Sequence, residues 1–326
     1  MSWGCSMEPN DDQTKPRIGL APIALFCFKR PVHLARVLDA LGANTLASAS
    51  TLYIFCDGPR GLDDLVAVEE VRQVAGATQG FAQVELRCSE VNLGLARSII
   101  AGVSEVLGRH GRVIVLEDDL VTSPFFLSYM NEALALYESA EIVASIHAYL
   151  YPLPTPVPET FFLQGADCWG WATWSRAWSQ FEVDGSKLLR RLMESGQEKA
   201  FDLEGAYPYR RMLEDQIAGR NDSWAIRWHA SVFLNGGLTL YPGRSLVYNI
   251  GLDATGTHSR KTASFGSGVS DTPIQVRAIP IQPSELARQA FMTFFRRGEG
   301  GRLRHLLRRT LGRWSWLRSL LALAKK

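Results

Sequence analysis

The sequence predicts an α/β protein built on a mostly parallel central sheet flanked by helices. Two observations carry that expectation. Through the first half, short β-like runs alternate with segments of helical period, as strands do with crossover helices. The junctions also carry turn and cap signals, so each element has a readable start or stop.

In chain order, Ile18 to Phe28 (IGLAPIALFCF) reads as a buried strand. Pro31 then opens a helix whose apolar positions Leu34, Val37, Leu38 and Leu41 fall at helical spacing. Leu52 to Cys56 is a second strand, stopped by Asp57-Gly58-Pro59, and a helix follows near Asp63 to Ala75. Val84 to Arg87 is a third strand, and Asn92-Leu93-Gly94 leads into a helix around Ala96 to Leu107. Val113 to Leu116 is a fourth strand that runs directly into Glu117-Asp118-Asp119. Ser123-Pro124 then starts a helix to about Tyr137.

The second half reads differently. Tyr151 to Pro158 is proline-rich and extended or looped. Phe161 to Trp178 is aromatic, Leu188 to Leu213 is helical, and Ser231 to Tyr248 returns to strand-like runs. Gly251 to Ser270, rich in Gly, Ser and Thr, reads as a mobile loop. The expected organisation is a disordered leader (1–17), an alternating α/β half (18–150), a second, aromatic-rich half (151–285) and a basic amphipathic helical tail (286–326).

Composition narrows the function classes. The 326 residues are 46% hydrophobic and 21% charged, ordinary values for a globular protein. No stretch approaches the roughly 20 apolar residues that cross a bilayer. Five cysteines without paired spacing argue against a disulfide framework and for a reducing, cytoplasmic setting. From Arg288 onward eleven Lys/Arg face one acid, Glu299, so the rest of this +2 chain is acidic and ill-suited to nucleic acid.

The chemistry gathers at the acidic triplet. In an open α/β sheet, ligands bind beyond the carboxyl ends of the strands, where Asp57 and Glu117-Asp118-Asp119 lie. Three adjacent acids are costly if buried unpaired. A hard divalent cation, Mn²⁺ or Mg²⁺, resolves that cost and prefers the oxygens of carboxylates and diphosphates. The bland alternative is a solvated acidic turn.

The run VIVLEDDLVTSPFFLSYMNEAL resembles the EDD-motif segment of N-acetylglucosaminyltransferase I and its bacterial relatives, which have the GT-A (Rossmann-like) glycosyltransferase fold. PIALFCFKRPVHLARVLDAL, YIFCDGP, NLGLARSIIAGV and FFLQGADCWGWATWSRAW are similar to further family segments in the same order, so the likeness covers about residues 18 to 260. The resemblance implies a metal-dependent, inverting sugar transfer from a UDP-sugar, UDP-GlcNAc being one candidate, to a glycan or lipid-linked hydroxyl. It makes Asp119 the metal ligand, sets Glu117 and Asp118 on the donor's sugar and ribose, and sets Arg30 and Asp57 on the nucleoside.

The family's general base is an acid close before a tryptophan, which Asp222 of Asn221-Asp222-Ser223-Trp224 matches with one serine intervening. Asp222 also reads as the cap of a helix from Trp224, and Asp215 of Glu214-Asp215 is the rival base. Arg97 either pairs with the diphosphate or faces solvent. His258 is an extra metal or phosphate ligand or a surface histidine. Trp169 and Trp171 either stack on a sugar or pack the core, while Trp174 and Trp178, four apart, read as core.

From Arg302 the tail shows leucines and tryptophans at helical spacing with arginines between. Such a helix either lies on an anionic membrane surface, placing the enzyme at the inner face of the membrane, or packs on the acidic body. Two rival functions remain: a non-catalytic carbohydrate-binding module with a degenerate site, and a nucleotidylyltransferase, whose glycine-rich loop the segment FKRP does not provide.

Overall fold

The computed structural model describes residues 19–251 and 268–297. The apolar runs of the first half become β1 (Ile23–Cys27), β2 (Thr51–Cys56), β3 (Gln83–Cys88) and β4 (Arg112–Glu117). They are joined by α1 (Pro31–Gly42), with its proline in the first turn, α2 (Leu65–Gly76) and α3 (Leu95–His110). Then come β5 (Leu120–Thr122), α4 (Phe126–Leu136) and β6 (Val143–His147). The aromatic segment forms β7 (Thr160–Gln164), β8 (Trp171–Trp174) and α5 (Ser175–Trp178). The helical stretch resolves into α6 (Gly185–Ser195), α7 (Glu198–Phe201) and α8 (Tyr209–Ile217). Last are α9 (Trp224–Leu234), β9 (Leu238–Pro242), β10 (Val247–Asn249) and α10 (Glu285–Arg297).

Among the described residues eight strands form one sheet in the order β3-β2-β1-β4-β8-β6-β9-β7. Six run one way, and β8 and β7 run against their neighbours, so the sheet is mostly parallel as expected. β5 and β10 pair separately, antiparallel. Leu34 and Val37 of α1, Val71 of α2 and Leu127 and Met130 of α4 cover one face. Ile99 and Val103 of α3 and Trp224 and Trp228 of α9 cover the other. On that second face α3 comes so close that a Cβ on Gly102 would lie 2.6 Å from the Phe26 ring. The two halves read from sequence share this sheet, since β8 of the second half lies between β4 and β6 of the first.

The structure corrects three local readings. β6 went unread because Ser145 and His147 interrupt a five-residue run, yet both side chains are buried. Ser145 meets the cost by donating to the Ala172 carbonyl at 3.2 Å. The stretch Ser231 to Leu234 ends α9 rather than beginning a strand. α10 starts where the tail was expected to begin, and packs Ala287, Phe291 and Phe295 against Phe161, Leu163 and Tyr241. Among the described residues no helix is long and apolar enough to cross a membrane. The leader, the loop containing His258 and the tail from Arg302 lie outside the described residues.

Candidate active site

β1 lies between β2 and β4: the chain runs outward from β1 to β2 and β3, with α1 and α2 on one face, and returns over the other face through α3 to β4. A strand order that reverses in this way opens a crevice at the carboxyl edge of the sheet, the topological switch point where α/β proteins bind ligands. Glu117 is the last residue of β4 and pairs in register with Phe26 of β1, so the acidic triplet sits at that crevice. Arg30, three residues beyond β1, enters it from the other side.

Arg30 Nη2 donates to the carboxylates of both Asp118 and Asp119, the second at 3.1 Å. Asp118 is buried and also takes a long hydrogen bond from the Phe28 amide, 3.4 Å. Burial raises the Asp118 carboxyl to about 6 against the pull of Arg30. Burial, reinforced by Asp119 and Asp118, pushes Glu117 up to about 8. Three carboxyl groups thus share one guanidinium, which pairs with only two of them. Arg30 Nη1 is itself buried without a hydrogen-bond partner among the described residues. Gly251, after β10, closes the floor: Ile250 donates its amide to the Asp119 carbonyl at 2.8 Å, and a Cβ on Gly251 would collide with the Asp119 carboxylate.

Asp57 does something other than the nucleoside contact expected of it. Its Oδ1 accepts the amides of Gly58 (2.9 Å) and Leu93 (2.8 Å). Its Oδ2 accepts Asn92 Nδ2 and the Gly94 amide, both at 2.9 Å. Four donors fill the four lone-pair positions of a carboxylate, leaving none for a nucleobase. Asp57 is a clamp holding the loop between β3 and α3, where Gly94 takes φ 76°, open mainly to glycine. Arg97, in the first turn of α3, is exposed and makes no ion pair among the described residues.

Beyond β7 the tryptophans separate. Trp171 is 1% exposed and packs among Trp178, Trp224 and Trp228, with centroids 5.4 to 6.0 Å away, so it is core and offers no face to a sugar. Trp174 and Trp178 are buried as expected. Trp169 stays half-buried, edge-on to Tyr149 at 4.7 Å. Asp222 lies just before α9, whose first turn meets the carboxyl end of the sheet through Trp224 and Trp171. Ser223, not Asp222, caps that helix, accepting the Ile226 amide at 3.2 Å. The Asp222 side chain is 68% exposed and only 3.6 Å from Arg227 Nη2. Asp215 is held by Arg220 at 2.5 Å.

One acid escaped the sequence reading. Asp167, between β7 and β8, is partly exposed, accepts Tyr151 Oη at 3.1 Å, and stands among Tyr207, Tyr209 and Tyr241. Burial raises it to about 6. Cys168 beside it feels the charge of both Asp167 and Glu117. Its only sequence signal was an acid inside an aromatic run.

No protein-family model and no curated protein matches the chain. Among solved structures, S. aureus TarS is 13% identical, with a TM-score of 0.29, over 44% of this chain and 24% of that one. The match therefore spans about a quarter of TarS. The mannosyltransferase PcManGT from Pyrobaculum calidifontis, in complex with GDP-Man and Mn²⁺, is 11% identical, with a TM-score of 0.36, over 70% of this chain and 73% of that one. Superpositions this loose transfer no role to any residue here, and the site stands on its own geometry.

Among the described residues no group of three or more His, Cys, Asp or Glu is arranged to hold a metal by itself. The donor set still suits a hard cation that shares its coordination with a diphosphate. Glu117 accepts no hydrogen bond among the described residues, and Asp119 keeps one oxygen clear of Arg30.

Proposed function

We propose that the chain is a glycosyltransferase that moves a sugar from a nucleoside-diphosphate donor, of the UDP-sugar class, to the hydroxyl of a glycan or lipid-linked acceptor. One observation carries this reading. An acidic triplet and a half-buried arginine, whose buried Nη1 has no partner among the described residues, face each other at the switch point of a doubly wound sheet. A crevice holding both excess carboxylate and an unused guanidinium donor suits a ligand that brings phosphate oxygens together with a cation.

In this reading Arg30 turns its free Nη1 to the donor, while Asp118 stays locked to Nη2 and fixes that geometry. Glu117 and Asp119 would hold Mn²⁺ or Mg²⁺, which supplies positive charge against the departing diphosphate. Asp57 keeps the loop ahead of α3 in place, so that Arg97 projects from a rigid wall. Trp169 offers its half-exposed ring to the acceptor. The acceptor oxygen attacks the anomeric carbon as the bond to the diphosphate breaks, and its proton passes to a carboxylate.

Asp222 is that base, free of the helix cap and facing solvent. A second assignment is favoured by one observation: Asp167, partly desolvated among tyrosines and held by Tyr151, has the character of a general base. The decisive experiment is a screen of nucleotide sugars with Mn²⁺, read by released UDP or GDP, together with calorimetric titration of UDP. Asp119→Ala should abolish release and metal-dependent UDP binding. Asp222→Asn should abolish turnover and keep binding, while normal turnover in Asp222→Asn and loss in Asp167→Asn moves the base to Asp167. If UDP and GDP fail to bind with any divalent metal, the donor reading falls.

A further inference from the structure

Three cysteines that share no spacing in the sequence stand in one row across the sheet. Cys27 ends β1, Cys56 ends β2 and Cys88 ends β3, and the register pairs Cys27 with Cys56 and Cys56 with Cys88. Cys27 and Cys56 join the core on the α1 and α2 face, and their sulfurs lie 3.3 Å apart. Cys88, on the edge strand, is exposed, whereas the other two are buried. The sheet therefore sets a solvent-facing thiol beside a buried one, with a third behind it.

Paired positions on neighbouring strands lie about 4.8 Å apart, within the Cα range a disulfide spans. Arg72 of α2 reaches over the same strand ends. Its Nη2 donates to the Ser89 carbonyl at 2.7 Å, and its Nε is buried without a partner among the described residues. The thiols of Cys27 and Cys88 and the charge of Arg72 favour the thiolate of Cys56 over its protonated form, against burial. Desolvation and the neighbouring Cys56 raise the Cys88 thiol, so Cys88 meets an oxidant through its exposure, while Cys56 supplies the favoured thiolate for disulfide closure.

We infer that Cys88 and Cys56 form a redox modification site, in which exposed Cys88 takes the oxidant and Cys56 resolves it to a disulfide. With a hydroperoxide, the Cys88 thiolate attacks one peroxide oxygen, and the other leaves as water or alcohol after taking a proton. The Cys56 thiolate then attacks the Cys88 sulfenic sulfur, and the hydroxyl leaves as water with a second proton. The peroxide is reduced and two thiols are oxidised. The link would tie together strand ends already joined by the Ser89 amide to the Cys56 carbonyl, 2.9 Å, one residue before the Asp57 clamp.

The test uses the full chain, reduced, freed of reductant and titrated with hydrogen peroxide. Free thiols, counted after unfolding, should fall from the five in the sequence by two. Peptide mapping without reductant should show Cys56 linked to Cys88, and a reductant should restore both. Cys88→Ser, at an exposed position that folding tolerates, should abolish the loss, and Cys27→Ala should keep it. The inference is overturned if peroxide yields only over-oxidised Cys88, if the link joins any other pair, or if Cys88→Ser still loses two thiols. None of these readouts depends on sugar transfer, so the inference and the proposed function fail separately.

Discussion

Arg30→Met tests how the acidic crevice is held together. The substitution keeps most of the aliphatic stem and removes the charge that faces Asp118 and Asp119. The Arg30 side chain is 20% exposed, and those of its partners are 5% and 16% exposed. Removing one member of a buried ion pair typically costs about 3–5 kcal/mol, because the remaining charge is left uncompensated. Some water reaches Asp119, so the lower end, about 3 kcal/mol, is expected at pH 8.

The loss should depend on pH, with a sign set by Asp118. Its carboxyl already sits at about 6 with Arg30 present, and losing the cation moves it higher. The folded variant then binds a proton that the unfolded chain, with its ordinary carboxyl, does not. The deficit is therefore full above the raised value and shrinks as pH falls, because the proton replaces the arginine. Urea unfolding followed by tryptophan fluorescence at pH 8 and pH 5 measures both values. A loss under about 1 kcal/mol at pH 8, or an equal loss at both pH values, would refute the idea that Arg30 compensates these acids.

Three further outcomes follow from the same structure. Asp57→Ala should cost about 2 kcal/mol and speed hydrogen exchange at the Leu93 and Gly94 amides, since part-buried donors lose their acceptor; unchanged exchange would remove the clamp. Trp171→Ala should cost about 3–5 kcal/mol by emptying a fully buried site, and Trp169→Ala clearly less; equal costs by chemical denaturation would put both rings in the core. Asp167→Asn should be more stable than the parent above pH 6 and equal to it near pH 4. Its folded carboxyl stands at about 6 rather than 3.8, so the ionised form costs at most about 3 kcal/mol, fully present only above 6. Melting the two proteins across that range checks it, and a gap that widens as pH falls would contradict the assignment.

The parts of the site visible in the sequence are those carried by neighbours in the chain. Glu117, Asp118 and Asp119 directly follow a strand of aliphatic residues, and their position at the sheet edge follows from that strand alone. Arg30 was legible for the same reason. Asp57 was located correctly at the end of its strand, but its partners Asn92, Leu93 and Gly94 are more than thirty residues away, so its commitment to four donors could not be read. Asp167 hid among aromatics, and only the fold shows that Tyr151 donates to it and that its charge reaches Tyr207, Tyr209 and Tyr241.

Local pattern determined the α/β class, the first four strands and the acidic strand end, because periodicity and cap chemistry act over a few residues. Register and strand order required the tertiary structure. They buried Ser145 and His147 in a strand, sent Trp171 inward while Trp169 stayed half-exposed, and lined up Cys27, Cys56 and Cys88 across three strands. The physical reason is the same each time: pairing across a sheet joins residues by hydrogen-bond register, which their separation along the chain does not encode.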